Sequence, residues 1–314
     1  MTSQPADTRN LSIVDLASLL YLGAVWGAAF LFLRIAAPEV GPVWAAEIRL
    51  AIGAAILAVV AGPRTWRAAR GRFGAFAIVG ALFSAIPFSL ISIATLTLPA
   101  GFTALLNAAT PLFTAGIAVA FMGQSLGWRM VAGLALGVVA VIVLVGWAPF
   151  EPAPQTLLAV AAGLGAPFSY ALAGNFARAR LASVDQLELA TGMVVGGALV
   201  LLPVAALTGA PGSLRVDGIV SLIAVGTLST ALAWPVFFRV LRRTTPTAAS
   251  TVTFIVPAFA LAWGAVALGE TVGLGLLVGF ALILASLALV LGIVPAGPRP
   301  VIRRALLAIR ATLA

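Results

Sequence analysis

Residues 99–122 read PAGFTALLNAATPLFTAGIAVAFM, a stretch of 24 residues without a charged side chain. An α-helix needs about 20 apolar residues to cross the roughly 30 Å hydrocarbon core of a bilayer, so this stretch predicts a transmembrane helix. Its middle holds an asparagine, Asn107, and a proline, Pro111. Both call for a structural or functional reason, because polar groups without partners are costly in hydrocarbon.

Nine further apolar runs of similar length flank this stretch. Because backbone groups in lipid must be hydrogen-bonded within their own segment, each run predicts a helix. The expected fold is therefore an all-α polytopic membrane protein with ten transmembrane helices. The ten runs cover residues 12–34, 42–61, 74–96, 99–122, 129–147, 156–176, 186–208, 218–238, 246–268 and 273–294.

The composition supports a membrane protein and excludes several classes of enzyme. Of the 314 residues, 62% are hydrophobic and 9% are charged, whereas a soluble domain has about 25% charged residues. Histidine, cysteine and lysine are absent from the sequence, which excludes Ser-His, Cys-His and Ser-Lys catalysis, Schiff-base chemistry and the common zinc ligand sets. No G-x-x-x-x-G-K-[ST] loop for ATP is present. We therefore expect no enzyme and no bound cofactor or metal.

The arginines follow a pattern typical of membrane topology. They account for all 18 basic residues and give a net charge of +9. The connections between runs alternate between arginine-rich and arginine-poor. This alternation predicts cytoplasmic termini and a bacterial inner-membrane location. It also accounts for the positive net charge, so we expect no nucleic-acid partner. The rich set holds Arg9, Arg64, Arg67, Arg70, Arg72, Arg129, Arg178, Arg180, Arg239, Arg242, Arg243, Arg299, Arg303, Arg304 and Arg310, and the poor set holds Arg215, Glu39, Glu151, Asp217 and Glu270.

An internal repeat is visible when the sequence is shifted by 146 residues. Residues 80–146 then align with 226–292 without a gap, and Pro111 meets Pro257. Five helices cross the membrane an odd number of times, so two such units in tandem have opposite orientations, as in secondary transporters. A chance resemblance between two apolar halves is the alternative. The expected division is a cytoplasmic tail at 1–10, repeats at 11–147 and 148–294, and a basic tail at 295–314 that is either an amphipathic helix on the inner leaflet or disordered.

Pro111 and Pro257 lie in the middle of runs four and nine. Because proline has no N–H, each leaves the carbonyl four residues earlier, at Asn107 and Thr253, without its helical donor. Such carbonyls persist at mid-membrane where they face protein or a water-filled cavity, so the pair predicts a cavity between the two halves. A packing kink is the alternative for each proline. Further helix kinks are expected at Pro87 and Pro235.

Four short elements of the sequence together resemble a known family. They are Trp26-Gly27 in run one, Arg49 in run two, Pro111 with Gly123 in run four, and Pro257 with Gly269-Glu270 in run nine. Over residues 10–294 the chain resembles the EamA-type drug/metabolite transporter superfamily, and within it the bacterial exporters of aromatic amino acids and methyl viologen. The resemblance implies ten helices, a cavity lined by helices one, three, four, six, eight and nine, and export of amino acids or related metabolites. One departure is Gln124, where the family often has glutamate.

Candidate substrate contacts are aromatic and polar residues inside the runs. Aromatic faces suit flat apolar ligands and cations, and Asn107 is the first candidate because an unpaired amide is costly in a membrane. The alternatives are rings at the interface or facing lipid, and hydroxyls bonded to their own helix. The candidate set is Asn107, Trp26, Tyr170, Trp234, Phe83, Thr253, Ser84 and Asn175.

Glu47 and Arg49 are charged residues in run two. Residues two apart on a helix point about 200° apart, so at most one of them should face a cavity. Arg49 is a candidate to bind a substrate carboxylate or to pair with an acid on another helix. Glu47 is a candidate proton carrier, which would make the proton a coupling ion. A position of both near the outer interface is the alternative.

The sequence thus predicts a secondary transporter that exports amino acids, aromatic ones first, or related small amphipathic metabolites by alternating access. Its expected partners are this small-molecule substrate and the lipid bilayer, and its expected state is a monomer. A channel-like uniporter is the alternative. A membrane-embedded enzyme is less favoured, because acids, bases and metal ligands are few.

Cysteine labelling checks the predicted orientation. The connections that contain Arg70 and Arg242 both belong to the arginine-rich set, so Arg70→Cys and Arg242→Cys should both react from the cytoplasmic face. The sequence has no other cysteine to confuse the result. Reaction of the two positions from opposite faces would exclude the inverted repeat.

Overall fold

The computed structural model describes residues 12–122, 128–147, 153–244 and 251–290. Regular structure in these ranges is helical. Both predicted tails, 1–10 and 295–314, and Gln124 lie outside the described residues. The helices are α1 (Ile13–Val40), α2 (Pro42–Ala69), α3 (Phe73–Thr97), α4 (Ala100–Asn107), α5 (Thr110–Met122), α6 (Trp128–Gly146), α7 (Pro154–Arg180), α8 (Gln186–Leu207), α9 (Val216–Gly226 continuing through Thr227–Leu232 and Ala233–Arg243), α10 (Val252–Leu268) and α11 (Leu274–Val290).

The helices match the predicted apolar runs. Within the described residues, eight segments are long and apolar enough to cross a membrane: α1, α2 as far as Gly62, α3, α4 with the first part of α5, α6, α7, α8 and most of α9. The other two, α10 and α11, are apolar helices of 17 residues each. The runs predicted for them, 246–268 and 273–294, extend beyond the described residues. The prediction of an all-α polytopic membrane protein is confirmed.

The first helix is longer than its predicted run. It begins at a capping box, in which the Ser12 hydroxyl accepts the Asp15 N–H and the Asp15 carboxylate accepts the Ser12 N–H. It ends at Gly41, whose φ of 88° suits glycine. Arg34 lies inside the helix, where its guanidinium donates hydrogen bonds to two carbonyls at the end of α3. A charged residue therefore does not mark the end of this helix.

Two π-helical turns interrupt α3 and α9, at Ala81–Ala85 and Thr227–Leu232. Their first residues are 146 positions apart, which is the spacing of the sequence repeat. A π-turn widens the backbone ladder and changes the direction of the side chains that follow. Pro87 and Pro235, predicted as kink positions, lie within the first turn of α-helix after each π-turn.

The quoted stretch 99–122 is broken where a kink was predicted. α4 ends at Asn107 and α5 begins at Thr110, with a turn between them. The Asn107 carbonyl does not lack a donor, because the Thr110 hydroxyl donates to it at 2.8 Å. The hydroxyl thus replaces the N–H that Pro111 cannot supply. Pro257, in contrast, lies inside the continuous helix α10.

Glycines allow the closest helix pairs to form. A Cβ atom on Gly27 of α1 would lie 2.9 Å from the Ala260 nitrogen and the Val256 oxygen of α10. Gly133 of α6 packs on α11, where the Ser286 hydroxyl donates to the Gly133 carbonyl at 2.7 Å. Small residues thus bring backbones together, which is how helices associate without a hydrophobic driving force between them.

The helix contacts form a regular layout. α2 packs on α8 and α9, and α8 packs on α2 and α3. α1 packs on α9 and α10, whereas α7 packs on α3, α4 and α5. α6 and α11 pack on each other. The space enclosed by α1, α3, α4, α7, α9 and α10 is the place where a site can form.

Filling the contact at Gly27 should destabilise the fold. Gly27→Val places a side chain against the α10 backbone, and such overpacking costs about 1–3 kcal/mol. We expect the thermal unfolding temperature of the detergent-purified protein to fall by several degrees. Gly116→Val in α5 is the control, because no atom lies within 4 Å of a Cβ built there. Equal losses in both variants would contradict the close approach of α1 and α10.

Candidate functional site

A cavity of about 320 Å³ lies between the helices. It is bordered by α1, α2, α3, α4, α7, α9 and α10, by the turn between α4 and α5, and by the first residue of α5. All the helices that the resemblance implies as cavity-lining contribute residues to this lining, and α2 also contributes one, Arg49. The lining residues are Trp26, Ala29, Phe30, Leu33, Arg49, Phe83, Phe88, Ile91, Ala104, Asn107, Ala108, Thr110, Tyr170, Ser229, Trp234, Phe237, Val252, Thr253, Val256 and Pro257.

One wall of the cavity consists of contacting aromatic rings. The ring centroids of Trp26 and Trp234 are 5.6 Å apart, and those of Phe83 and Trp234 are 5.4 Å apart. Phe83 also contacts Tyr170 at 5.2 Å, and Trp26 contacts Phe237 at 5.5 Å. The rings are tilted or edge-on to one another, which is the favoured geometry for aromatic pairs. This wall can accept a flat or apolar group by contact area.

Reciprocal hydrogen bonds hold the wall in place. The Trp26 Nε1–H donates to the Ser229 carbonyl at 3.0 Å, and the Ser229 hydroxyl donates to the Val25 carbonyl at 2.6 Å. Ser229 lies in the π-turn of α9. The altered backbone of this turn therefore fixes α1 and α9 at the cavity.

Arg49 is the charged residue of the cavity lining in the described part of the chain. It is 4% exposed, and its Nε donates to the Thr230 hydroxyl at 3.0 Å. Its Cζ lies 3.6 Å from the centroid of the Phe88 ring, a cation–π contact. The Thr230 hydroxyl in turn donates a hydrogen bond to the Val225 carbonyl at 3.1 Å, five residues earlier, which the π-turn permits.

Arg49 has no carboxylate partner within the described ranges. The ion pairs there join Arg34 to Glu270, Arg72 to Glu188 and Arg243 to Asp15. In these ranges Arg49 donates a hydrogen bond from Nε to Thr230. Both Nη groups therefore remain to donate to a ligand. A guanidinium group binds a carboxylate by two parallel bonds in this way.

Two neutral polar atoms of the lining also lack partners among the described residues. They are the Oδ1 of Asn107 and the Nε1 of Trp234, and both are buried. A buried polar atom without a partner costs about 1–3 kcal/mol. Asn107, Trp234 and Arg49 thus contribute an acceptor, a donor and a cation to the residues around the cavity, with the first two atoms buried in this structure.

Glu47 lies apart from the cavity lining. It is 4% exposed, and its Oε2 has no hydrogen-bond partner in the described part of the protein. Arg49 lines the cavity while Glu47 does not, as the angle between residues two apart on a helix requires. Both residues are buried rather than exposed.

The other predicted site residues divide into two groups. Thr253 and Pro257 line the cavity on α10. Ser84 is fully buried but faces α8, where a Cβ on Gly197 would lie 2.9 Å from the Ser84 Cβ. Asn175 donates to the Ala171 carbonyl of its own helix at 2.9 Å. Ser84 and Asn175 are thus outside the lining.

Several residues that shape the cavity were not in the predicted set. Phe88 and Ser229 line it and contact Arg49 and Trp26, and Thr230, behind the lining, accepts the hydrogen bond of Arg49. Their positions depend on the π-turns, which the sequence does not mark beyond Gly80 and Gly226 at their starts. Among the described residues no three Asp, Glu, His or Cys side chains form a group that could hold a metal ion.

A bundle of apolar membrane helices around a polar and aromatic cavity defines a multi-pass membrane transporter. The sequence profile of the EamA-like transporter family matches residues 16–146 and again residues 157–292. The chain belongs to the EamA-like transporter family. The resemblance to the EamA-type family that was stated from the sequence is confirmed.

Individual proteins with similar sequences carry transporter names. A probable terminal-alkyne amino-acid exporter of Streptantibioticus cattleyicolor is 27% identical over 278 residues, covering 87% of this chain and 92% of that protein. An uncharacterized transporter of Bacillus subtilis, YvbV, is 27% identical over 277 residues, covering 87% and 90%. A solved structure titled "Crystal structure of protein" has a TM-score of 0.60 at 18% identity and covers 89% of this chain and 95% of that one. That structure shares the fold.

Proposed function

We propose that this transporter exports amino acids, aromatic ones first, or related small amphipathic metabolites across a bacterial inner membrane, and that Arg49 binds the substrate carboxylate. The observation that carries the proposal is the burial of Arg49 without a counter-ion among the described residues. A charge inside a membrane protein is costly and is normally paired. An anionic substrate group supplies the missing partner.

The remaining lining suits the rest of such a substrate. The Asn107 Oδ1 is an acceptor for an ammonium group, and the Trp234 Nε1 is a donor for a carboxylate oxygen. The aromatic wall accepts an apolar side chain. A volume of about 320 Å³ holds a small metabolite of this class. The exporter from Streptantibioticus cattleyicolor, named for an amino-acid substrate, supports the same class.

We further propose that transport proceeds by alternating access between two inverted five-helix repeats. The family profile matches the chain twice. The helix contacts are arranged in corresponding pairs: α2 with α9 corresponds to α8 with α3, and α1 with α10 corresponds to α7 with α4 and α5. The π-turns also stand at corresponding positions. Such repeats allow the two halves to rock around a shared cavity.

A channel-like uniporter is the competing function. Its flux would rise linearly with substrate concentration, whereas a carrier saturates and shows counterflow. Counterflow measured in proteoliposomes distinguishes the two. The family argues for transport rather than an enzymatic reaction.

Removing the guanidinium of Arg49 should abolish recognition of the carboxylate. In proteoliposomes, phenylalanine should compete with labelled substrate much better than phenethylamine, which lacks the carboxylate. Arg49→Gln should remove this difference, since a lost charged hydrogen bond costs about 1.5–3 kcal/mol, or roughly 10- to 100-fold in affinity. Arg178→Gln, on the exposed end of α7, is the control.

Two companion variants test the other polar contacts in the same assay. Asn107→Leu should remove the preference for phenylalanine over 3-phenylpropionate, which lacks the ammonium group. Trp234→Phe should weaken the binding of both ligands. Asn175→Leu is the matched asparagine control, because Asn175 lies outside the lining. Wild-type selectivity in Arg49→Gln would refute the assignment of the carboxylate site.

A proton is the proposed coupling ion, and Glu47 is its candidate carrier because its buried Oε2 lacks a partner in the described structure. A proton gradient should accelerate substrate flux by the wild-type protein in proteoliposomes. Glu47→Gln should transport at a rate that does not respond to the gradient. Glu188→Gln, which removes a carboxylate paired with Arg72, should keep the response. Wild-type flux that ignores the gradient would instead indicate uniport.

A further inference from the structure

We propose that Arg34 and Glu270 form a gate at one end of the cavity, joining α1 and α10 to the turn between α3 and α4. The proposal rests on the proposed transport function, because a gate matters only if substrate passes through it. The arginine-poor connections lie at this end, which the charge pattern assigns to the outer face. The gate is closed in this structure.

Arg34 makes the first connection. Its Nη1 donates to the Thr95 carbonyl at 2.6 Å and to the Leu96 carbonyl at 2.9 Å. Its Nε lies 3.8 Å from the Glu270 Oε1. One guanidinium thus contacts both the end of α3 and Glu270, the second residue after α10.

Glu270 makes the second connection. Both of its carboxylate oxygens lie 3.0 Å from the Ala100 nitrogen, which donates to them. Ala100 is the first residue of α4, and no side chain of the preceding residue caps that helix. A carboxylate at a helix N-terminus is favoured by its unpaired N–H groups and by the helix dipole. Glu270 therefore serves as the N-terminal cap of α4 from a distant part of the chain.

The gate lies next to the cavity. Leu33, which directly precedes Arg34, lines the cavity, as does Ala104, one turn beyond Ala100. α4 has eight residues and ends at Asn107, so displacement of its capped end also moves Asn107. Opening the gate would change both the access path and a substrate contact.

The strength of these contacts suits a gate that opens in every cycle. The Arg34 and Glu270 side chains are 30% and 15% exposed. A partly solvated ion pair is weaker than a fully buried one, because water competes for its charges.

Thiol accessibility tests the gate without any substrate. Ala29→Cys places a reporter in the cavity lining of a chain that has no native cysteine. A membrane-impermeant maleimide added to the outer face of oriented vesicles should label it slowly. Glu270→Gln and Arg34→Gln should each raise the outer labelling rate about fivefold or more, the scale of a typical coupling between sites.

Combining the two gate variants should add little to either alone, because both open the same connection. Glu39→Gln is the matched control, since Glu39 accepts the Arg215 N–H at 3.0 Å in another arginine-poor connection. Its labelling rate should equal that of the reporter alone.

Unchanged outer labelling in folded, monodisperse Arg34→Gln and Glu270→Gln would overturn the gate. Equal acceleration by Glu39→Gln, or acceleration from the cytoplasmic face, would do the same. If one gate variant fails to fold, the other decides the outcome. Because no substrate is added, a failure of the Arg49 experiments leaves this result readable, and the two proposals can fail separately.

Discussion

The structure depends on the constraint that polar groups inside a hydrocarbon layer must be satisfied within the protein. Most of the chain meets it locally, through helical backbone bonds and hydroxyls that bond to their own helix. Thr110 meets it by donating to the Asn107 carbonyl, which Pro111 leaves without a donor. Among the described residues, the buried polar atoms without a partner belong in part to the cavity lining, at Asn107 and Trp234 beside the unpaired Arg49, and in part to other places, such as Glu47 and Ser84. The proposed site is the place where several of these groups come together around one space.

Close packing and irregular backbone work together to build this cavity. Glycines let α1 approach α10 and α6 approach α11, which fixes the frame. The π-turn in α9 then brings Ser229 to Trp26 and Thr230 to Arg49. A regular helix would present a different set of side chains at the same depth. The irregular turns thus position Trp26 and Arg49 at the cavity, while the regular helices supply their support.

The features that follow a local rule could be predicted from the sequence. A single apolar segment in lipid must be long enough to span the bilayer and must satisfy its own polar groups. This rule predicts the apolar runs, the break near Pro111 and the choice of Asn107 and Trp234 as candidate site residues. The features that depend on several helices could not. The contact of Phe88 with Arg49 joins two helices, and the Arg34–Glu270 pair joins residues 236 positions apart. Ser84 and Asn175 have the right chemistry, but helix rotation places them elsewhere.

The aromatic wall has a consequence for selectivity. Apart from the Trp234 Nε1, its rings present broad apolar surfaces, and one methylene more or less on such a surface changes binding by only about 1–3 kcal/mol. Buried polar groups left unpaired discriminate far more sharply. If Arg49 binds the charged head of the guest, as proposed above, the pocket is strict about that head and tolerant about an apolar tail. Such a carrier would serve a family of related compounds rather than a single one.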